Sequence, residues 1–173
     1  MKSPARLTIR QADASHARRL HALISANREE GRLLPRGPDE IAAHAERFVI
    51  ACRGRRIVGC AELAPLSPQV AEVRSLVVDP SARGIGAGSK IIKELERRGR
   101  IKGFDLLCAF THAPAFFSQM GFSIEAHASL PEKISTDCVK CPEFRRCGQV
   151  AMVLPLESAV ETTKSDRIYM ARH

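Results

Sequence analysis

Three glycines in five residues, set where an apolar run gives way to a helical pattern, constrain this chain more than any other feature of its sequence. The stretch VVDPSARGIGAGSKIIKELERRG runs from Val77 to Gly99. Its first residues read as the end of a strand, Asp79-Pro80 interrupts it, and apolar positions at helical spacing follow from about Ser89 to Arg98. A strand that enters a helix through bare backbone belongs to an α/β architecture. With the short apolar run FDLLCAF downstream, the pattern predicts strand–helix–strand, its two strands parallel and its crossover right-handed.

The placement of the glycines has a chemical reading. A helix N-terminus leaves its first backbone N–H groups without intrahelical partners and carries partial positive charge. Gly84, Gly86 and Gly88 let the preceding backbone aim further amides at one point, and the ligand suited to such a nest is a phosphate or pyrophosphate. The spacing excludes two familiar phosphate loops. A Walker loop needs Gly-Lys-Ser or Gly-Lys-Thr, whereas Lys90 follows Ser89; a dinucleotide fingerprint reads G-x-G-x-x-G, whereas this is G-x-G-x-G. An ordinary strand-to-helix turn stays open as the alternative.

The remaining chain reads as one α/β domain over residues 5–156 and a polar tail, 157–173, expected to fray. LTIRQA alternates as a first strand; Asp13 offers an N-cap; Ala17, Leu20, Leu23 and Ile24 follow at helical spacing, with Gly31 as a stop. Pro38 opens a second helix. FVIAC and RIVGCAEL flank the turn RGR as a hairpin, VAEVRSLVV is a further strand, APAFFSQMGF a short helix and QVAMVLPL the last strand.

Composition narrows the partners. A net charge of +8 favours anionic ligands. With aromatics at 5%, no Trp and one Tyr, there are few stacking platforms, and no nucleic-acid partner is expected. No stretch approaches the roughly 18 apolar residues of a membrane span, and Met1 to Arg10 lacks a signal-peptide core, so a cytoplasmic protein is expected, with no membrane partner. A homodimer is left open. The six cysteines then read as thiols or metal ligands. Cys52, Cys60 and Cys108 sit in apolar runs. Cys138, Cys141 and Cys147 form C-x2-C-x5-C, whose C-x2-C pair is a common half of a zinc knuckle; a full site would need a fourth ligand, with His127 and Cys108 as candidates, and reduced thiols and a regulatory disulfide are the alternatives.

VVDPSARGIGAGSKII resembles the acetyl-CoA signature of the GNAT acetyltransferases, Arg/Gln-x-x-Gly-x-Gly, carried here by Arg83, Gly86 and Gly88. APAFFSQMGF resembles the helix that closes that fold, and the elements follow the family's order from LTIRQAD to VAMVLPL. The resemblance implies a mixed central sheet. It implies acetyl-CoA as donor, contacts from Leu76, Val77 and Val78 to the acetyl and pantetheine groups, and pyrophosphate contacts from Arg83, Gly84, Ile85, Gly86, Ala87, Gly88 and Ser89. Glu72 stands where some members place a general base, and a regular strand would put Arg74 on its face. The usual Tyr acid is replaced by Phe117, with Thr111, His112 and Ser118 as nearby donors, and Phe110 replaces the usual Asn.

GRLLPRGPDEI, RIVGCAEL with AEVRSLVVDP, and LPEKISTDCVKCPEFRRCGQVAMV are similar to the short amino-acid N-acetyltransferases of the N-acetylglutamate synthase type. That similarity implies the α-amine of glutamate as acceptor, in arginine biosynthesis. Arg74, Lys133, Arg145 and Arg146 are the candidates to hold its carboxylates, since arginine binds such groups in two-pronged fashion. Another small amine as acceptor, or acetyl-CoA binding without turnover, stays open.

Overall fold

The computed structural model describes residues 6–157, so the tail expected to fray lies almost wholly outside the described residues. A seven-stranded sheet has the order β1-β2-β3-β4-β5-β7-β6. β1 (Leu7–Gln11), β2 (Phe48–Arg53), β3 (Arg56–Pro65) and β4 (Val70–Val78) pair antiparallel in succession. β4 and β5 (Leu106–Thr111) are parallel, as strand–helix–strand requires, and β7 (Val150–Pro155) runs antiparallel between β5 and β6 (Ser123–Glu125).

Helices cover both faces. On one, α4 (Ala87–Ile101) buries Ile91, Ile92 and Leu95 against Val58, Leu63, Val73 and Leu107, and α5 (Pro114–Gln119) adds Phe117. On the other, α1 (Ala17–Ala26) and α3 (Pro38–Ala43) pack Leu20, Ile24 and Ile41 onto Phe48, Ile50 and Cys60. Next to them Leu130, which precedes α6 (Pro131–Thr136), closes over Cys108, Ala151 and Val153. Asp13 begins the first helical segment through a capping box with His16.

Two glycines near helix ends play different parts. α2 (Arg28–Gly31) continues the first helical stretch after Asn27, and Arg32, not Gly31, takes the left-handed conformation that ends it (φ 47°). Gly99 does not stop α4. A Cβ there would lie 2.7 Å from Leu156 Cδ1, so the missing side chain admits Leu156, and Gly103 (φ 80°) ends the helix instead. α4 also starts two residues earlier than expected, because Gly86 is its N-cap.

Two irregularities make the site. β4 and β5 pair only at Val70–Leu106, Ala71–Leu107 and Glu72–Cys108. Beyond these, β4 stays with β3 and β5 with β7, so a wedge opens within the sheet. Within β4, Ser75 has φ 52°, and the register with β3 shifts there. Before this bulge Ala71 and Val73 face α4; after it Leu76 and Val78 do. The extra residue turns the phase of the strand by one, so glycine turn and ion pairs end up on opposite sides of one opening.

Candidate active site

The wedge is the floor of a cleft of about 1130 Å³ lined by β4, β5, the glycine turn, α5, α6 and the loop before α3. Its α4 side is backbone. Gly84 (φ 76°) and Gly86 (φ 80°) both need the left-handed region. The first intrahelical bond of α4 runs from Lys90 N–H to Gly86 C=O, so the amides of Ala87, Gly88 and Ser89 have no partner within the helix. Gly88 serves a different purpose: a Cβ there would approach Phe116 Cζ to 3.3 Å, so glycine lets α5 close on the turn. Leu76, Val78, Arg83, Gly84, Gly86, Ala87, Gly88 and Ser89 all line the cleft. Val77 does not; the bulge turns its side chain into the core beneath α1. Ile85 points outward, 46% exposed.

The opposite side carries charge in an ordered pattern. Glu72 is buried, and its carboxylate accepts from Arg74 Nε at 2.6 Å and from Lys133 Nζ at 2.8 Å. Arg74 and Lys133 also share Asp137, the latter at 2.9 Å. Burial works against charge on Lys133, but Glu72 and Asp137 outweigh it and hold the ammonium above its ordinary pKa; Arg74 is held up in the same way. Lys133 Nζ also sits 5.3 Å from the centre of the Phe110 ring.

A second set was not foreseen. Arg36 donates to the fully buried Glu62 at 2.8 Å and to Ser75 Oγ, on the bulge, at 3.2 Å. Its Nε lies 2.7 Å from Glu40 Oε1, yet it is the one buried side-chain polar atom among the described residues without an aligned hydrogen-bond partner. A sequence signal existed: Glu62 interrupts an apolar run in RIVGCAEL, and a buried carboxylate requires a cation.

The cations therefore have two kinds of partner. Glu62 and Glu72 are buried at 2% and 5% side-chain exposure. Glu40, Asp137 and Glu30 lie on the cleft's outer segments at 48%, 29% and 61%. Glu30 holds the guanidinium of Arg83, at 2.5 and 3.1 Å, beside the glycine turn. Each cation group at the cleft thus has an outer, more exposed carboxylate partner, while Glu62 and Glu72 lie buried beneath.

The remaining candidate residues divide between the cleft and its surroundings. Arg145 and Arg146 are exposed and do not line the cleft. Glu72 lines it, with both carboxylate oxygens engaged by Arg74 and Lys133. Phe117 is buried against Phe116 and Phe122; Thr111 and His112 line the cleft and Ser118 does not. The zinc reading fails on geometry: among the described residues no three His, Cys, Asp or Glu side chains converge as ligands. His127 faces Gln149 C=O at 2.9 Å, and Cys108 is buried in β5 with its thiol pushed up to about 12 by burial. No helix among the described residues is long and apolar enough to cross a membrane.

The site is thus a parallel strand pair splayed over a glycine turn, with an uncapped helix N-terminus on one side and a cluster of ion pairs on the other. The family model described as Acetyltransferase (GNAT) family matches residues 17–122, and the chain belongs to that family. It is 28% identical over 148 residues to an uncharacterised N-acetyltransferase of Chlorobaculum tepidum, covering 86% of this chain and 96% of that one. It is 32% identical over 127 residues to the amino-acid acetyltransferase of Shewanella oneidensis, covering 72% of this chain and 28% of that one. The N-acetylglutamate synthase of Neisseria gonorrhoeae, solved with coenzyme A and N-acetyl-glutamate, superposes with a TM-score of 0.78 at 26% identity, over 89% of this chain and 36% of that one. The chain thus spans about a third of the length of these last two.

Proposed function

We propose that this acetyltransferase transfers an acetyl group from acetyl-CoA to the α-amine of a dicarboxylic amino acid, glutamate being the acceptor that fits best. The observation that carries the reading is the pairing of Arg36 and of Arg74 with Lys133 to outer carboxylates, Glu40 and Asp137, that a substrate's two carboxylates can replace. With Asp137 displaced, Glu72, Arg74 and Lys133 carry one net positive charge, which matches one incoming carboxylate. The named relatives point the same way.

Acetyl-CoA supplies an activated thioester. The chain's own part is to bind and orient. The amides from Gly84 to Ser89, with Arg83 released from Glu30, hold the diphosphate. The open edges of β4 and β5 receive the pantetheine arm as an added strand would be received. Glu72 positions Arg74 and Lys133, and the amine proton leaves to water. The thiolate departs without a tyrosine, as an ordinary thiol pKa of about 8.5 permits.

Two measurements test this reading. In a screen of the protein amino acids with acetyl-CoA, glutamate should give at least tenfold the kcat/KM of any monocarboxylic residue; equal rates across the panel would remove the acceptor assignment and leave the acetyltransferase. A Gly86→Ala variant meets no neighbour within 4 Å, so its penalty is the left-handed φ, roughly 1–2 kcal/mol, plus a methyl in the anion cradle. Calorimetric titration should show coenzyme A binding weakened about tenfold or more; unchanged affinity would mean the turn does not hold the diphosphate.

A further inference from the structure

The cysteine motif is not absorbed by the zinc reading or by the transfer chemistry, and the structure places it beside the ion pairs of Arg74 and Lys133 with Asp137. Cys138 opens the short 3-10 turn Cys138–Lys140, and Cys141 N–H donates to Cys138 C=O at 3.0 Å. An i to i+3 turn keeps the two Cα atoms within about 7 Å, where a disulfide needs roughly 4.4–6.8 Å. In a 3-10 turn side chains at i and i+3 also lie on the same face. Cys141 lines the cleft. Cys138 directly follows Asp137, the carboxylate shared by Arg74 and Lys133.

Burial raises the pKa of the Cys138 thiol, with Cys147 and Cys141 both close enough to act on it. The other thiols differ in access more than in kind. Cys52, Cys60 and Cys108 are fully buried, and burial pushes the Cys60 thiol up to about 12, as it does that of Cys108. Cys147 is exposed, and its thiol faces the Gln149 side chain at 3.9 Å.

We propose that Cys138 and Cys141 are a reversible modification site: exchange with a low-molecular-weight disulfide joins them and pins Asp137 onto Arg74 and Lys133. The thiolate of Cys141, which lines the open cleft, attacks one sulfur of the small disulfide. That S–S bond breaks, a mixed disulfide forms and one thiolate leaves. The thiolate of Cys138 then attacks the Cys141 sulfur and expels the second thiolate. Two protein thiols lose two electrons, one disulfide becomes two small thiols, and these take up the two protons. The consequence for turnover rests on the acceptor reading above: a carboxylate that must displace Asp137 meets a turn that no longer yields.

The test uses the full chain and oxidised glutathione. Peptide mass mapping should find a Cys138–Cys141 disulfide and two thiols lost from the six, restored by dithiothreitol. Amide hydrogen exchange over residues 131–142 should slow several-fold on oxidation. The acceptor KM should rise about tenfold, with coenzyme A affinity changed less than twofold. Cys138→Ser and Cys141→Ser should each abolish the exchange response, and Cys147→Ser should keep it. A lasting glutathione adduct on one cysteine, pairing through Cys147, or unchanged exchange in the mapped disulfide form would each overturn the proposal. Mapping and exchange are read without an acceptor, so a wrong acceptor assignment shows itself separately, as a disulfide that slows exchange and leaves KM unaltered for every amino acid tried.

Discussion

Replacing Lys133 by methionine is expected to lower the stability of the fold by about 3 kcal/mol, the lower end of the range for breaking a buried ion pair. The side chain is only 10% exposed, and its ammonium contacts Glu72 at 2.8 Å and Asp137 at 2.9 Å. Methionine fills the same space beneath Phe110, so the loss is electrostatic. Glu72, at 5% side-chain exposure, keeps Arg74 on one oxygen and loses its other cation. Denaturant titration should report the drop, with a melting temperature lower by roughly 10 °C. Adding Glu72→Gln should recover a good part of it, because the amide removes the stranded charge. A loss under about 1 kcal/mol for Lys133→Met, or no recovery in the double variant, would mean that the pair is hydrated and does not hold α6 to the sheet.

The legible part of this molecule is the part written in local pattern. VAEVRSLVV is β4 to the residue, the helix after the glycine turn is α4, and FDLLCAF and QVAMVLPL are β5 and β7, because alternation, helical spacing and turn residues act over a few neighbours. Arg74 beside Glu72 was legible for the same reason: two residues apart on a strand share a face. What escaped is what depends on tertiary contact. Nothing local marks Ser75 as left-handed; the wedge between β4 and β5 and the side chain of Arg36 stabilise that bulge, and Arg36 lies 39 residues away. The short β6 and the turns around α6 have little periodicity, so they read as loop, and with them went Asp137, the carboxylate that Arg74 and Lys133 share. Arg145 and Arg146 show the converse limit: residue type alone nominated them, and they lie on the exposed turn Phe144–Arg146, outside the cleft lining.

Arg36 is where the second large effect is expected. Its guanidinium performs three tasks at once: it neutralises Glu62 at 2.8 Å, it ties the bulge through Ser75 Oγ at 3.2 Å, and it presents an Nε whose nearest carboxylate, Glu40, lies out of line. An Arg36→Lys variant retains the charge and can satisfy Glu62, but an ammonium is a point donor and cannot serve Glu62, Ser75 and a substrate carboxylate in one plane. For the acceptor kcat/KM the expected fall is about 100-fold, equivalent to about 2.7 kcal/mol of transition-state stabilisation. Coenzyme A affinity should change less than threefold, since the diphosphate cradle lies on the other side of the wedge. Glu40→Gln separates the roles further. It leaves Arg36 and Glu62 intact and removes the competing carboxylate, so the acceptor KM should fall or stay level. Arg36→Lys with an unaltered acceptor KM, or Glu40→Gln with a tenfold higher one, would show that the acceptor carboxylate binds elsewhere in the cleft.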